Sequence, residues 1–376
     1  MKRRLLFVVE SGTDVRLVEG LANYFDLRIL ARKIEGGVEI SQPTNASFEM
    51  TVGPTSRTGF ATFVFRRLLN QRDIDAVLVQ GYTLAAMAAN LARQITRKPT
   101  LMLVCSPIEA YYRCRLKYPG GPPYRRSEVG ALNALARANA LFADGYVVLS
   151  DHLAEVVRSH GAKKIARIPI YGVNTNIFHP PSKSKSQLKA ELGLPTEGSL
   201  IFFSSRIAPE KDSETLLRAV RQLLDEGEDL WLLHRSGGYK QFLLDAERFG
   251  VQSRVIATDA VHPHRTLPLD YQACDLCIQA SREEGLGFSP LEALACETPV
   301  VATQVGGLQE TIREGQTGWT YPVGDTKALA GCIREALGDS AEAARRAHNG
   351  RQLVSAEFDR KLVFDKLSAL IDSRLR

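Results

Sequence analysis

The chain has 376 residues, 44% of them hydrophobic and 24% charged, with a formal net charge of +6. Such a length and balance exclude a disordered or fibrous protein and allow two globular domains of ordinary size. No apolar run approaches the ~18 residues of a membrane-spanning helix, and the first one, Leu5–Val9, is shorter than a signal peptide requires.

Leu5–Val9 is expected to be a buried strand, Glu10–Thr13 the turn after it, and Asp14–Tyr24 a helix with Val15, Val18, Leu21 and Ala22 on one face. Further strands are expected at Leu27–Ala31, Phe48–Val52 (the weakest), Ala76–Gln80, Leu101–Cys105, Gly145–Leu149 and Ile165–Ile170, with helices over Phe60–Asn70 and Thr83–Ile95. His179–Ser186 is a polar surface connection just inside a second half of the same design. Its strands are expected at Leu200–Ser204, Leu230–His234, Arg254–Ala257, Leu276–Gln279 and Val300–Thr303, with a helix over Ser213–Glu226. Phe358, Leu362, Leu367, Leu370 and Ile371 mark an amphipathic last helix, Phe358–Leu375. Strands alternating with helices predict α/β architecture with parallel, doubly wound sheets.

Charge is unevenly divided. Residues 1–171 carry 24 Lys/Arg against 14 Asp/Glu, and residues 172–376 carry 24 against 28. A basic first half suits an anionic or membrane-associated acceptor; a solvated basic surface without a partner is the alternative. The stretch Tyr111–Tyr118, continuing through Tyr124-Arg125-Arg126, interleaves tyrosines with basic residues. It suits docking on an anionic acceptor or bilayer, or is a mobile surface loop. No nucleic-acid fold motif accompanies it, so a nucleic-acid partner is not expected.

Six cysteines, Cys105, Cys114, Cys274, Cys277, Cys296 and Cys332, lack the spacing of a secreted disulfide framework. Cys274 and Cys277 form a CxxC across a strand start, which two thiols alone do not make a zinc site. Asp73-Ile74-Asp75 has the form of a metal-binding DxD but precedes a strand, opposite the end where open α/β sheets bind ligands. No metal and no cofactor are expected.

The densest motif is Ser281–Ile312. A loop, Glu284-Gly285-Leu286-Gly287-Phe288, feeds a short helix, which is followed by the apolar Pro299–Thr303 and by Gly306-Gly307. Ser289, Pro290 and Glu292 have the form of a helix start: Ser as cap, Pro at the first position, Glu reaching back. A glycine loop entering a helix N-terminus suits an anion. A second motif, Ser204-Ser205-Arg206-Ile207-Ala208-Pro209-Glu210-Lys211, sets two cations at one turn. Arg grips two oxygens and Lys supplies a point charge, which together fit an anion such as a phosphate group. Taken singly, each feature has a plainer explanation: an exposed basic pair, a solvated loop carboxylate at Glu284, a helix cap at Glu292. Glu284 and Glu292 also suggest the carboxylate pair of a glycoside hydrolase, which does not need the Arg206/Lys211 pair.

The run E-G-x-G-x-x-x-L-E-A-x-A, then P-V-V-A-T and G-G-x-x-E, resembles the signature of the family 4 retaining glycosyltransferases, the group 1 glycosyl transferases of GT-B fold. Arg206-x4-Lys211 matches the family's R-x-x-x-x-K, with Ser205 and Asp212 in place of its glycines, and Asp212 is placed to cap the next helix. Gly172-Val173-Asn174, then Phe178 and Pro180, resembles the family's G-V-D-x-x-x-F-x-P at the entry to the second domain. The resemblance implies two Rossmann-like doubly wound domains facing a central cleft: 1–171 on the acceptor side, 172–356 on the donor side, and 357–376 as a helix crossing back. It implies a retaining, metal-independent transfer from a nucleotide-diphosphate sugar to an acceptor not identified by the sequence. Arg206, Lys211 and Glu284 would be catalytic; Gly12, Gly285, Leu286, Gly287, Phe288, Ser289 and Glu292 would bind the donor, Glu292 at the ribose. Many family members place a His after the strand equivalent to Leu101–Cys105; here Ser106-Pro107-Ile108-Glu109 follows, and Ser106 or Glu109 takes that place on the acceptor side. The alternatives are a nucleotide-sugar epimerase of the same fold and a non-catalytic nucleotide-sugar-binding protein. The expected location is cytoplasmic, extending to the inner face of a membrane.

Overall fold

Leu5–Val9 lies inside the first strand of a seven-stranded sheet, and its residues are buried because parallel strands are covered on both faces. The computed structural model describes residues 2–34, 47–71, 73–118, 125–259 and 266–375. The chain divides into two compact units: Met1–Glu109 with Arg125–Gly172 and Arg360–Arg376, and Ala110–Tyr124 with Val173–Asp359.

The first unit contains β1 (Arg4–Val9), β2 (Asp26–Arg32), β3 (Glu49–Gly53), β4 (Ala76–Gln80), β5 (Thr100–Val104), β6 (Gly145–Val148) and β7 (Ile165–Arg167). They run parallel in the order β3-β2-β1-β4-β5-β6-β7, with Phe7 level with Ile29 on one side and Leu78 on the other. Its helices are α1 (Val15–Tyr24), α2 (Arg57–Asn70), α3 (Leu84–Thr96), α5 (Arg126–Phe142), α6 (Asp151–Ser159) and the terminal α15 (Arg360–Leu375), while α4 (Ile108–Lys117) begins here and continues in the second unit. The Phe364 ring of α15 stacks on Tyr24 and occupies the space over Gly20, where a Cβ would meet it at 2.0 Å. Gly20 thus lets the terminal helix settle on α1.

In the second unit β8 (Ser199–Phe202), β9 (Leu230–Arg235), β10 (Val255–Thr258), β11 (Leu276–Gln279), β12 (Val300–Thr303) and β13 (Trp319–Tyr321) form a parallel sheet in the order β10-β9-β8-β11-β12-β13. Around it lie α7 (Lys185–Glu191), α8 (Ser213–Asp225), α9 (Tyr239–Arg248), α10 (Leu267–Ala273), α11 (Phe288–Ala295), α12 (Leu308–Thr311), α13 (Thr326–Gly338) and α14 (Ser340–Leu353). Phe203, Leu216, Phe242, Trp319 and Tyr321 are part of one buried cluster. Strand order reverses at β1/β4 in the first unit and at β8/β11 in the second. Open α/β sheets bind ligands beyond the strand ends at such points.

Several expectations need correction. The Tyr/Arg stretch is not a surface loop: Ile108–Lys117 is helical, with Tyr111 and Cys114 buried, and residues 119–124 lie outside the described residues. The expected division at 171/172 and 356/357 did not include one piece: Ala110–Tyr124 groups with Val173–Asp359 in the second unit. The polar connection at 179–186 ends in a helix, α7, whose capping box pairs Ser184 with Gln187. The last strand of the first unit stops at Arg167, because Pro169 cannot donate to the ladder. β13, only three residues long, was not in the expected set.

Two other motifs have local partners or burial of their own. Asp73 pairs with Arg28 at 2.6 Å and Asp75 accepts from the Arg4 backbone N–H at 2.8 Å. Cys274 and Cys277 are buried core thiols, held protonated by burial. Among the described residues no group of three His, Cys, Asp or Glu is arranged to hold a metal, and no helix is long and apolar enough to cross a membrane.

Candidate functional site

The strand reversal brings the two motifs of the second unit together. β8 and β11 are neighbours, with Leu276 level with Ile201. β8 runs out into Ser204-Ser205-Arg206, and β11 into Ala280–Glu284. The two loops are tied by backbone and charge. The Arg282 backbone N–H donates to the Glu210 carbonyl at 2.8 Å, and its guanidinium donates to the Pro209 carbonyl at 2.7 Å and pairs with Asp212.

Asp212 sits in the left-handed region at φ 47 and caps α8, accepting from the Thr215 backbone N–H at 3.3 Å and the Thr215 hydroxyl at 2.8 Å. Burial pushes its carboxyl above the usual range, although Thr215 and Arg282 pull the other way. Where the sequence pattern favours glycine after Lys211, this chain uses an aspartate whose charge is spent on a helix cap and an arginine.

Glu284 is buried rather than solvated. Its carboxylate pairs with Lys211 and accepts from Gln279 Nε2 and Ser281 Oγ, each at 3.2 Å. It also accepts from the Gly285 backbone N–H at 3.2 Å and from the Tyr111 hydroxyl at 3.3 Å. Gln279 is itself fixed, accepting from Ser205 Oγ at 3.0 Å and donating to Ser281 Oγ at 2.7 Å. Arg206 is the most exposed cation of the group, its side chain 58% accessible, with one contact among the described residues, 3.2 Å to Glu210.

The helix after the glycine loop begins earlier than its sequence suggests. α11 starts at Phe288 behind Gly287, which has φ 87 and supplies no side-chain cap. Ser289 and Pro290 occupy its first turn, where the missing proline N–H costs nothing. The expected Ser289–Glu292 capping box is therefore replaced. The Glu292 carboxylate accepts instead from the Tyr271 hydroxyl at 3.2 Å, and Ser204 Oγ lies 3.0 Å from the same hydroxyl. Glu292 is 3% exposed.

Glycine is required twice beside this loop. A Cβ on Gly287 would lie 2.4 Å from Leu308 Cδ2, and one on Gly307 would lie 2.1 Å from the Gly285 carbonyl oxygen. Leu286, buried between Gly285 and Gly287, anchors the loop in the core. A tight loop leading into a helix start leaves backbone N–H groups at its mouth, which favours an anion.

Of the expected site residues, Arg206, Lys211, Glu284, Gly285, Leu286, Gly287, Phe288, Ser289 and Glu292 all belong to this end of the second sheet. Gly12, Ser106 and Glu109 belong to the first unit. Gly12 is exposed in the turn after β1, next to Glu10, a buried carboxylate that accepts from the Ala85 backbone N–H at 3.2 Å. Glu109 accepts from Asn133 Nδ2 at 2.8 Å, and His160 Nε2 lies 3.0 Å from its other oxygen. A histidine thus does meet the segment after β5, contrary to expectation. Fifty-one residues separate the two, and no local signal in the sequence points to their contact.

Sequence reasoning missed Tyr111, Arg115, Glu210, Tyr271 and Arg282 as parts of this site. Arg115 donates to the fully buried Glu210 carboxylate through Nε at 3.0 Å and Nη2 at 2.6 Å. Tyr118 lies under the Arg282 guanidinium, 3.8 Å from its carbon to the ring centre. Glu210 and Arg282 lie inside the two motifs, where the pattern could have flagged them.

Two parallel, doubly wound Rossmann-like units define the GT-B class, and solved structures share the fold. The sucrose-phosphate synthase of Thermosynechococcus elongatus has a TM-score of 0.81 at 22% identity, covering 99% of each chain. Anabaena HepE, solved with UDP-glucose, has a TM-score of 0.78 at 18% identity, covering 98% of this chain and 99% of that one. A glycosyl transferase 4-like domain model matches residues 15–170 and the glycosyl transferases group 1 model matches 184–353. The chain belongs to the group 1 glycosyl transferases. Curated relatives include the D-inositol 3-phosphate glycosyltransferases of Xylanimonas cellulosilytica, 31% identical over 62% of this chain and 57% of that protein, and of Mycobacterium tuberculosis, 30% identical over 70% and 55%. The matched segments span little more than half the length of these relatives.

Proposed function

We propose that this protein is a retaining, metal-independent glycosyltransferase that moves a sugar from a nucleoside-diphosphate sugar to an acceptor. The observation that carries the proposal is the meeting of Arg206, Lys211, Glu284 and Glu292 at the β8/β11 reversal, on loops joined by Arg282. The donor would lie on the second unit, with its diphosphate against Arg206, Lys211 and the start of α11. Transfer builds negative charge on the departing phosphate, and these preorganised groups stabilise it where it develops. Glu292, fixed by Tyr271, would accept from the ribose hydroxyls. Glu284, held by neutral donors as well as by Lys211, would accept from the sugar and can release Lys211 to the phosphate without losing all of its own partners.

Support for a uridine nucleotide comes from the UDP-glucose that the structurally similar HepE was solved with. The inositol-phosphate acceptor named for the curated relatives supports a small anionic acceptor, which suits the basic first half. The test is incubation of the purified protein with UDP-glucose and other nucleotide sugars, with and without inositol phosphate, in the presence of EDTA. Release of nucleoside diphosphate with a glycoside of unchanged anomeric configuration supports the proposal. A requirement for added divalent metal, or an inverted product, contradicts it.

A further inference from the structure

Helix α4 brings a residue of unexpected consequence to this site. The buried groups around the turn pair off: Arg282 with Asp212, Lys211 with Glu284, Arg115 with Glu210. Among the described residues Arg206 is the cation left over, with a single contact to a carboxylate that Arg115 already holds by two. Glu210 is 0% exposed, whereas the Arg206 side chain is 58% exposed. Burial acts to raise the Glu210 carboxyl, but the Arg115 hydrogen bonds and charge outweigh it, and the group titrates below the usual carboxylate range. It is therefore an ion in the folded protein. Lying 3.2 Å from Arg206, it would otherwise be that arginine's natural partner.

We infer that Arg115 is a positioning residue: by saturating Glu210 it keeps Arg206 available to the diphosphate of the donor. The inference rests on the proposed function and adds a residue to it. The argument is one of competition. A planar guanidinium fork satisfies both oxygens of a carboxylate, so Glu210 keeps little hold on Arg206. Without Arg115 the buried carboxylate keeps Arg206 as its one ion-pair partner among the described residues, and Arg206 must choose between it and the ligand. Arg115 need not touch the donor. Its helix is placed for the task by Tyr111, whose hydroxyl donates to Glu284, and by Tyr118 beneath Arg282.

The experiment is a double-mutant cycle read by calorimetry with UDP and, separately, inorganic pyrophosphate. R115A should weaken UDP binding by about tenfold or more, as expected when a close charge loses its neutralising partner. E210Q should bind pyrophosphate at least as tightly as wild type, because an opposing charge has gone. R115A/E210Q, which has no unpaired buried carboxylate and so avoids the folding penalty of R115A, should recover binding to within about threefold of E210Q, as coupled neighbours require. R115K should fall between wild type and R115A. Direct contact of Arg115 with the ligand gives a double variant no better than R115A and overturns the inference; a purely structural role gives an R115A whose unfolding midpoint falls while its folded fraction binds pyrophosphate as tightly as wild type, and overturns it too. R115A that folds and binds as wild type overturns it as well. A wild-type protein that binds neither UDP nor any other nucleoside diphosphate overturns the proposed function itself, and this inference with it.

Discussion

Replacing Lys211 by Ala separates catalysis from stability, because the structure sets different magnitudes for each. The Lys211 and Glu284 side chains are 12% and 11% exposed. Removing one partner of such a pair costs about 3–5 kcal/mol when the remaining charge has nothing else. Glu284 has more: Gln279, Ser281, Tyr111 and the Gly285 backbone N–H all donate to it. With hydrogen bonds to a charged group contributing roughly 1.5–3 kcal/mol each, the carboxylate stays satisfied, and the loss of stability should be about 1–2 kcal/mol. Turnover should fall further, by about 10²–10³, or roughly 2.7–4 kcal/mol of transition-state stabilisation. Donor turnover and urea melts on the same preparation measure both. K211A/E284Q should recover the stability and not the turnover. A folded K211A within fivefold of wild-type turnover removes Lys211 from the mechanism. A stability loss above about 5 kcal/mol shows that the neutral donors do not hold Glu284 as argued.

The two glutamates should part company by ligand: Glu292→Gln weakens binding of the bare nucleoside diphosphate, whereas Glu284→Gln spares it and impairs the sugar-bearing donor. Calorimetry in which the variants match on both ligands rejects that division. Asp270, deep in α10, has its carboxyl pushed up from 3.8 to about 7 by burial, which outweighs Arg235 3.0 Å away. A raised carboxyl stabilises the fold fully below pH ~4 and loses that contribution as pH rises through ~7, up to about 4 kcal/mol in all. The melting temperature of wild type should therefore decline from pH 5 to 8 more steeply than that of Asp270→Asn; parallel profiles contradict the assignment. If the basic first half serves an anionic bilayer, Ser at Arg113, Arg125 and Arg126, all exposed, should cut sedimentation with anionic vesicles by about 10²-fold, at ~1 kcal/mol per residue. Arg115 must be spared in that experiment, since it is committed to Glu210; wild type that ignores the vesicles at low salt rejects the membrane surface.

Local pattern made much of this protein legible. Buried parallel strands such as Leu5–Val9 and Val300–Thr303 announce themselves as short apolar runs, and both sheets follow from them. The glycine loop and the Arg206–Lys211 turn were visible because each is contiguous. What the sequence concealed lies in contacts made across the fold. Arg115 and Glu210 are 95 residues apart, Tyr111 and Glu284 173. A stretch of tyrosines and arginines looks like surface until its partners are known, and α4 buries Tyr111 by pairing rather than by apolar periodicity. The start of α11 was misplaced because Ser-Pro-x-Glu is a good cap pattern, but the chain needs Gly287 at positive φ to clear Leu308, and that turn fixes where the helix begins.

The central claim, that the end of the second sheet holds a nucleoside-diphosphate sugar, is tested most directly by titrating the purified protein with UDP-glucose and its GDP, ADP and dTDP counterparts while following thermal unfolding. One donor at about 100 times its dissociation constant should add roughly 2.7 kcal/mol of stability, and R206A/K211A should abolish the gain. No stabilisation by any of these donors, or an equal gain in the variant, contradicts the account.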